Sequence, residues 1–460
     1  MKDMALPAGP TDTIIALASG AGRAGVAVIR ISGPAALGVL RHLTPLPIPP
    51  ARHATLRSLT DGPTGPFLDE AVILYFPTPA SFTGDDVVEL HLHGGPAIVD
   101  AILAATLATR LCRLAHPGEF TRRAFDAGKL DLTQAEAIAD LIDAETEGQR
   151  RQAARLYQGE AARTFEGWRG QLISAMAALE ASIDFPDESD VPEDVNLAAL
   201  EPIELLAAEL EFALGDAARL RSVREGFRVA ILGPPNVGKS SLMNRLARRE
   251  AAIVSPIPGT TRDVVEVRLI LAGFPVWVAD TAGLRETTDA IEVEGVRRAL
   301  ARAEEADLRI WVLDVSRETS APGDADSVSR ETSGRPGDLT VLNKADLLTG
   351  PAAVGAGDVH VVSAATGAGF DALERRLTQI VRERLDTEEA PLVTRARHRE
   401  LVEEGLHHVE RALEGARIGM GAELISEDLR MAARALGRIT GAVDAEDLLD
   451  RIFSQFCIGK

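Results

Sequence analysis

Residues 233–240 read Gly233-Pro-Pro-Asn-Val-Gly-Lys-Ser240, and this stretch decides the fold of the chain around it. It matches G-x-x-x-x-G-K-[ST], follows the apolar run Val229–Leu232 and leads into a helical pattern. A glycine-rich turn between a strand and a helix directs backbone N–H groups toward phosphate. The stretch therefore predicts a phosphate-binding loop in which Lys239 neutralises β- and γ-phosphate oxygens and Ser240 ligates Mg²⁺.

Short apolar strands alternate with helical patterns around this loop, which is typical of βαβ units and a mostly parallel sheet. Helices are expected at Ser240–Ala247 and Ile291–Ala306. The predicted strands are Val229–Leu232, Val265–Leu271, Val276–Ala279, Arg309–Val315, Thr340–Asn343 and His360–Ser363.

Two further motifs follow predicted strands and concern the phosphates and the base. In Asp280-Thr281-Ala282-Gly283, the Asp280 carboxylate is expected to hold Mg²⁺ through its water shell, and the Gly283 N–H to meet the γ-phosphate. In Asn343-Lys344-Ala345-Asp346, the Asp346 carboxylate is suited to accept the N1–H and N2–H of guanine. Adenine lacks this donor pair, so the pattern predicts selection of GTP over ATP.

The remaining nucleotide motifs stand in the order that such a site requires. A backbone amide of Ser363-Ala364-Ala365 is expected to meet guanine O6, and Thr260-Thr261-Arg262 supplies a switch threonine for Mg²⁺. Five motifs in order, each at a predicted strand end or between two of them, predict GTP binding.

The residue after Gly283 is Leu284, where Ras-type enzymes have a glutamine that orients the attacking water. An aliphatic side chain forms no hydrogen bond, so either hydrolysis is very slow or another group orients water. Arg262 or a bound monovalent cation is a candidate for stabilising the transition-state charge. The acidic candidates for orienting water are Glu286, Asp289, Glu292 and Glu294.

Composition and the spacing of apolar residues divide the rest of the chain into segments of two kinds. Residues up to about 125 alternate short strands with turns, and a helix is expected from Ala97 to about Leu114. The strands predicted there are Thr13–Leu17, Val26–Ile31, Ala71–Phe76 and Val87–Leu92. Residues from about 130 to 224 and from about 394 onward have apolar side chains at helical spacing. Since the ends of a domain commonly lie close together, the α/β segment is expected to be inserted in one helical domain. The predicted domains are 1–126, the discontinuous 127–225 with 386–460, and the inserted 226–385.

The overall charge and the cysteine count limit the function classes. The net charge of −20 argues against a broadly basic, nucleic-acid-coating surface but leaves room for a local basic patch. Two cysteines, Cys112 and Cys457, suit a reducing compartment. No apolar run approaches the ~18 residues of a membrane span, and no signal peptide is evident at the start. A cytoplasmic protein without a membrane association is expected.

The chain resembles the bacterial and organellar tRNA-modification GTPases of the MnmE (TrmE) type over nearly its whole length. The motifs that carry this resemblance outside the phosphate loop are short and specific, above all the tail Phe456-Cys-Ile-Gly-Lys460. The others are Val28–Gly33, Ser81–Gly84, Glu89–Gly95, Pro117–Ala124, Gly128–Leu132, Gln134–Ala137, Gly259–Asp263 and Asp280–Arg285.

The resemblance implies a mixed α/β folate-binding N-terminal domain, a helical domain and an inserted Ras-like GTPase. It implies a homodimer that acts on tRNA with an FAD-dependent partner of the MnmG (GidA) type. Together they would add aminomethyl or carboxymethylaminomethyl groups at carbon 5 of the wobble uridine, U34. The one-carbon unit would come from 5-formyl- or methylene-tetrahydrofolate. K⁺ would promote pairing of two GTPase domains and hydrolysis.

By motif match, Arg30, Glu89, Lys129 and Lys460 would contact folate, and Asn236, Ser255, Ile257 and Thr260 would bind K⁺. Ser240 and Thr261 would hold Mg²⁺, while Glu292, with Gly283 and Thr261, would be catalytic. The GTP-contacting set comprises Asn236, Val237, Gly238, Lys239, Ser240, Ser241, Ser255, Thr260, Thr261, Asp280, Thr281, Ala282, Gly283, Asn343, Lys344, Ala345, Asp346, Ser363, Ala364 and Ala365.

Some side chains allow two interpretations. His91 and His93 share a strand face with Glu89 and suit either a ligand pocket or a solvated surface. Cys457 suits either a buried apolar position or a functional thiol in the polar tail. At the level of the whole protein, the alternative to a tRNA-modifying GTPase is a regulatory switch, such as a ribosome assembly factor.

Overall fold

The computed structural model describes residues 12–184, 195–249, 266–280, 304, 306–315, 337–348, 358–386, 393–443, 446–454 and 456–459. The chain divides into two compact units. Unit 1 comprises residues 1–139, 156–207 and 404–460, and unit 2 comprises residues 140–155 and 208–403. The finer division into three domains stays a prediction.

Unit 1 is built on a six-stranded sheet in the order β3-β4-β5-β2-β1-β6. Its neighbouring strands are antiparallel except for the parallel pair β1 and β6. The strands are β1 Ile14–Leu17, β2 Ala24–Ser32, β3 Thr55–Thr60, β4 Phe67–Phe76, β5 Val87–Gly94 and β6 Arg113–Leu114.

One face of this sheet carries the apolar core. Along β2 and β5, Ile29, Ile31 and Leu90 are fully buried in a cluster that includes residues of the helices α1 (Ala36–Leu43) and α2 (Pro96–Ala108). Since successive strand residues point to opposite faces, the intervening side chains lie on the other face. Arg30 and Glu89 stand directly opposite each other there.

The expected helix from Ala97 to about Leu114 was wrong at its end. Helix α2 stops at Ala108, and Arg113–Leu114 pairs with β1 as a short parallel strand. The φ angle of Arg110 is 55°, in the left-handed region, so the chain leaves the helix axis there. The Thr109 hydroxyl accepts from the backbone N–H of Leu111 at 3.1 Å and supports the turn. The apolar spacing that suggested a longer helix belongs instead to a turn and a strand.

Helices make up most of the remaining chain, as the spacing of apolar residues predicted. Within unit 1, the helices α6 and α11 pack together, and the Thr440 hydroxyl donates to Glu166 at 2.9 Å. The helices after α2 are α3 Glu119–Asp126, α4 Leu132–Asp143, α5 Glu147–Tyr157, α6 Glu160–Asp184, α7 Val195–Glu225, α8 Lys239–Arg249, α9 Phe370–Leu385, α10 Ala396–Arg417, α11 Ala422–Thr440 and α12 Glu446–Phe453. Within the described residues, no helix is both long enough and apolar enough to cross a membrane.

The last described residues return to the sheet of unit 1. Ile458 forms an isolated antiparallel bridge with Pro117. Gly459 has a φ of 95°, and a Cβ built on it would collide with the Leu17 carbonyl oxygen. Only glycine has room for so close an approach, so Gly459 allows the tail segment to lie against the end of β1.

Unit 2 contains a second six-stranded sheet, in the order β12-β11-β10-β7-β9-β8. It is parallel except for the antiparallel pair β8 and β9, and all six predicted strands are confirmed within a few residues. The expected helix Ser240–Ala247 is confirmed as α8, whereas Ile291–Ala306 falls largely outside the described residues. The strands are β7 Phe227–Leu232, β8 Glu266–Leu271, β9 Phe274–Asp280, β10 Leu308–Asp314, β11 Leu339–Asn343 and β12 Val359–Val361.

A partly buried ion-pair network joins β6 and α3 to the start of β1 in unit 1. Arg123, whose side chain is 2% exposed, donates to Asp12 at 2.8 Å and to Glu119 at 3.0 Å. Arg113 donates to both oxygens of Glu119 at 2.8 and 2.6 Å. Burial alone would raise the pKa of Glu119, but the hydrogen bonds from Arg113, the His116 amide and Arg123 outweigh it and lower the pKa to about 2.

Glu119→Gln is expected to destabilise the local fold at neutral pH by roughly 1–3 kcal/mol, since the pKa is lowered from 4.5 to about 2 and water partly screens the ion pairs. Because the folded-state pKa is depressed, this stabilisation is present above about pH 4.5 and is lost as the pH falls toward 2. Hydrogen exchange of peptides covering residues 12–17 and 119–126 measures it. The variant should exchange faster than the wild type at pH 7, and the difference should shrink at pH 3.

The exposed Glu70→Gln provides the control, and it should leave exchange unchanged at both pH values. A difference between wild type and Glu119→Gln that persists undiminished at pH 3 would contradict the role of the carboxylate charge.

Candidate functional site

The phosphate loop leaves β7 at the carboxyl edge of the unit 2 sheet and ends where α8 begins. Gly233 has a φ of 140°, and a Cβ on it would collide with the Val312 carbonyl oxygen. Gly238 has a φ of 94°, and a Cβ there would collide with Asn343 Nδ2. Both glycines are therefore required by close approach of neighbouring groups as well as by conformation. The loop places its N–H groups at the N-terminus of a helix, a location that favours anions.

Lys239 is the first residue of α8 and its side chain turns back over the loop. Its Nζ donates to the carbonyl oxygens of Gly233 and Pro234, both at 2.8 Å. The residue is only 7% exposed. The ammonium group therefore lies inside the curve of the loop, where it is suited to neutralise phosphate oxygens.

Asn343 joins three segments that are distant in sequence. Its Nδ2 donates to the Val237 carbonyl at 2.8 Å, and its Oδ1 accepts from the Ala364 N–H at 3.0 Å. The side chain is buried, at 2% exposure. The phosphate loop, the Asn343–Asp346 motif and the Ser363–Ala365 motif are thus brought to one edge of the sheet.

The residues expected to recognise the base are held by partners within the protein. Lys344 has a left-handed backbone, with a φ of 67°, and its Nζ donates to Asp314 at 2.7 Å. Asp346 lies in a 3₁₀ turn, and its carboxylate accepts from the Ser363 hydroxyl. The Ser363 oxygen in turn accepts from the Thr366 N–H at 3.1 Å. The carboxylate is therefore oriented by the loop that carries the expected O6 donor.

The amides of the 363–367 loop are almost all engaged. The N–H groups of Ser363 and Gly367 bond within the loop, the Ala364 N–H bonds to Asn343, and the Thr366 N–H bonds to Ser363. Within the described part of the chain, the Ala365 N–H is the amide of this loop that has no hydrogen-bond acceptor. Among the amides of this loop, it is therefore the one left available for the expected contact with guanine O6.

The expected metal and catalytic positions are described only in part. Asp280 ends β9 and is paired in register with Ile231, two residues before Gly233. Ser240 lies in the first turn of α8, and Asn236 is exposed in the loop with a φ of 64°. The other proposed nucleotide, metal and catalytic residues lie outside the described residues: Ser255, Ile257, Thr260, Thr261, Arg262, Thr281, Ala282, Gly283, Leu284, Glu286, Asp289, Glu292 and Glu294.

A second polar site lies on the face of the unit 1 sheet that carries Arg30 and Glu89, beside a smaller apolar cluster that includes Phe120. Arg30 Nε donates to Glu89 at 2.9 Å, and His91 lies 3.5 Å from the other Glu89 oxygen. The Arg30 guanidinium lies 5.5 Å from the ring centroid of Phe82 and 5.7 Å from that of Phe120. Phe120 is fully buried, so the arrangement presents a cation, a carboxylate and one half-buried aromatic ring, that of Phe82, which suits a flat polar ring.

The loop that carries Phe82 also reaches Lys129. A Cβ built on Gly84, two residues after Phe82, would lie 3.5 Å from Lys129 Cε. The tail segment reaches the neighbouring strand, since Gly459 contacts Leu17 and the adjacent residue Ala16 is in register with Arg30. Lys460 lies outside the described residues.

The remaining candidates have distinct environments. His93 is exposed and its Nδ1 lies 2.7 Å from the buried Asp69 carboxylate. Burial raises the pKa of the Cys112 thiol to about 11, which disfavours the reactive thiolate. Cys457 is exposed, and its carbonyl accepts from the Gly118 N–H at 3.5 Å. The buried apolar interpretation of Cys457 is therefore wrong.

Comparison with known proteins extends over both units. The family model described as "GTP-binding protein TrmE N-terminus" matches residues 13–129, and that described as "MnmE helical domain" matches residues 132–457. A protein of Maricaulis maris named tRNA modification GTPase MnmE is 53% identical over 97% of this chain and 99% of its own. A protein of the same name from Parvibaculum lavamentivorans is 54% identical over 98% of this chain and 100% of its own.

Among solved structures, a variant of Aquifex aeolicus Era bound to GDP and AlF₄⁻ is 27% identical over 35% of this chain and 57% of its own. The TM-score of that pair is 0.27.

Asp346→Asn is expected to weaken GTP binding by about 100-fold or more, because two charge-assisted hydrogen bonds of about 1.5–3 kcal/mol each are lost. It should strengthen binding of xanthosine triphosphate, since the amide N–H₂ donates to the oxygen that replaces the guanine N2. Titration calorimetry with both nucleotides measures the change. Asp371→Asn, at an exposed position on α9, should alter neither affinity. Unchanged GTP affinity in Asp346→Asn would exclude Asp346 from the guanine site.

Proposed function

The chain belongs to the MnmE family of tRNA modification GTPases, and from this premise we propose that GTP hydrolysis in unit 2 drives modification of U34 in certain tRNAs. The observation that carries the proposal is the joining of the phosphate loop, Asn343–Asp346 and Ser363–Ala365 through one buried amide. The match of residues 13–129 to the TrmE N-terminus supports a modification role over that of a regulatory switch alone.

In unit 2, each segment has a separate task in nucleotide binding. The loop amides and Lys239 bind the β- and γ-phosphates. Asp346 accepts the N1–H and N2–H of guanine, while the Ala365 N–H donates to O6. A site built this way rejects adenine because the Asp346 carboxylate and the Ala365 N–H would be covered by the base and left unpaired.

Mg²⁺ suits the oxygen donors at this edge of the sheet. The Ser240 hydroxyl belongs to the first turn of α8, and Asp280 ends the strand beside β7. Ser240 and Thr261 would ligate the ion, and the Asp280 carboxylate would act through its water shell. When bound, Mg²⁺ neutralises charge on the β- and γ-phosphates. Thr261 also closes the switch segment over the nucleotide.

K⁺ is proposed to bind beside the phosphates, at the exposed side chain of Asn236 and at Ser255, Ile257 and Thr260. When bound, K⁺ offsets negative charge that spreads over the transferred phosphoryl group. Ser255–Thr260 would also contribute to the surface at which two GTPase units of a homodimer would meet. Glu292 positions the attacking water, because the aliphatic side chain of Leu284 forms no hydrogen bond with it. The Gly283 N–H donates to the γ-phosphate.

We propose that the face of the unit 1 sheet that carries Arg30 and Glu89 binds 5-formyl- or methylene-tetrahydrofolate, which supplies a one-carbon unit. Phe82 and the fully buried Phe120 flank the Arg30 guanidinium, and Glu89 accepts from it, so a pteridine ring finds hydrogen-bonding groups and one half-buried aromatic side chain, that of Phe82. Lys129 and Lys460 provide cations for the glutamate carboxylates. Cys457, exposed in the same tail, is placed with them as a functional thiol.

The modification itself is assigned to a complex in the cytoplasm. An FAD-dependent partner of the MnmG (GidA) type supplies the redox chemistry, and the complex installs aminomethyl or carboxymethylaminomethyl groups. The chain carries a net charge of −20. Since tRNA binding depends on cationic contacts with phosphate, much of the positive surface is assigned to the partner.

Deletion of the gene is expected to abolish the aminomethyl-type modifications of U34, and expression of the wild-type chain should restore them. Arg30→Ala should fail to restore them, because it removes the cation of the proposed folate site. Nucleoside analysis of bulk tRNA measures restoration, and calorimetry with 5-formyltetrahydrofolate measures binding by the purified variants.

The exposed Arg23→Ala is the matched control and should behave as the wild type. Normal U34 modification in the deletion strain would support the regulatory alternative. Retained folate binding by Arg30→Ala would remove Arg30 from the site.

GTP hydrolysis is expected to be faster in KCl than in NaCl at equal ionic strength, because cation stabilisation of the transition state is worth about 10³–10⁵ in rate. Asn236→Ala should remove the dependence on K⁺. Glu292→Ala should bind GTP normally but lower kcat, since it affects only the positioning of water. Steady-state phosphate release measures each rate. Equal rates in the two salts would reject the cation mechanism, and full activity of Glu292→Ala would assign catalysis to another group.

A further inference from the structure

Arg245 connects the helix of the phosphate loop to the loop expected to read the base. It lies on α8, which begins with Lys239, and it is half-buried. Its Nη1 donates to the carbonyls of Ala364 at 3.1 Å and Ala365 at 3.0 Å, and its Nη2 donates to that of Thr366 at 2.9 Å. One guanidinium therefore holds three successive peptide carbonyls. We call this set of contacts the arginine clamp.

The surroundings of the clamp are fitted to an arginine. A Cβ built on Gly367, which has a φ of 92°, would collide with the Arg245 guanidinium. The guanidinium carbon lies 5.7 Å from the ring centroid of the fully buried Phe370. Only a planar group with several donors in a fixed fork contacts three carbonyls in this space.

The planarity of the peptide bond relates the clamp to the base-reading amide. The Ala364 carbonyl and the Ala365 N–H belong to one peptide plane and point in opposite directions. When Arg245 holds the carbonyl on one side, the N–H of Ala365 is directed to the other. A donor on the carbonyl also polarises the peptide, which makes its N–H a better donor.

We propose that Arg245 is a positioning residue for guanine recognition, which orients the Ala365 N–H and so sets the preference of the site for an oxygen at carbon 6 of the base. The inference rests on the proposed function, in which guanine binds at this edge. It adds a residue outside the five nucleotide motifs. It also gives the phosphate helix a direct part in reading the base.

The test compares three diphosphates on the full chain by titration calorimetry: GDP, 6-thio-GDP and IDP. The thio analogue changes only the group at carbon 6, which the Ala365 N–H reads. IDP keeps that oxygen and lacks the amino group that Asp346 reads. The variants are Arg245→Ala and Arg245→Lys, with Arg248→Ala, exposed one turn later on α8, as the matched control.

Arg245→Ala is expected to weaken GDP and IDP in parallel by about 3–10-fold, the size of one neutral hydrogen bond, and to weaken 6-thio-GDP much less. The preference for GDP over 6-thio-GDP should fall accordingly, while the preference for GDP over IDP stays constant. Arg245→Lys should give an intermediate value, since an ammonium group lacks the fork. Arg248→Ala should match the wild type.

Equal weakening of all three nucleotides by Arg245→Ala would overturn the inference, because it would show a general structural role. Unchanged affinities would overturn it as well. Thermal unfolding of the nucleotide-free variants separates loss of folding from loss of recognition, and a folded Arg245→Lys keeps the test valid if Arg245→Ala fails to fold. Absence of GDP binding by the wild-type chain would instead overturn the proposed function, and the inference with it.

Discussion

The buried side-chain amide of Asn343 is the constraint on which the nucleotide site depends. Both of its polar atoms are committed, one to the phosphate loop and one to the Ser363–Ala365 loop. Leaving either partner unpaired in this buried position would cost about 1–3 kcal/mol. A single residue thereby sets the separation between the part of the site proposed to bind phosphate and the part proposed to bind the base. The arginine clamp adds a second link between the same two parts, from the other side of the loop.

The strands of unit 2 could be predicted because each contains a short apolar run, and β7, β9, β11 and β12 also lead into a nucleotide motif. Strand β3 was missed because polar residues such as Arg57 and Ser58 interrupt it, and its pairing with β4 depends on tertiary contacts. Strand β6, only two residues long, carries too little pattern to be recognised. Sequence motifs also identify Arg30 and Glu89 as candidate site residues. They do not predict that the two side chains form an ion pair, because the register of strand pairing cannot be read from the local sequence.

The contacts of Arg245 could not be predicted from any sequence motif. In the sequence it is one of several arginines on a helix, and nothing distinguishes it from Arg248. Its contacts arise only when α8 packs beside the loop that follows β12. The cations of both sites are also paired within the protein, Arg30 with Glu89 and Lys344 with Asp314. A ligand that binds at either site would replace these internal ion pairs with its own contacts, which favours selectivity over high affinity.

The contact of Ile458 and Gly459 with Pro117 and Leu17 has a consequence for how the protein is made. The strands of the first sheet leave the ribosome early, but the segment that covers the end of β1 is translated only after all of unit 2. Unit 2 can therefore fold while unit 1 still lacks its final contact, since domains generally fold as units during synthesis. Closing so long a loop adds little entropy cost because that cost grows only with the logarithm of loop length. Contact of the tail segment with the end of β1 thus reports that the whole intervening chain has been synthesised.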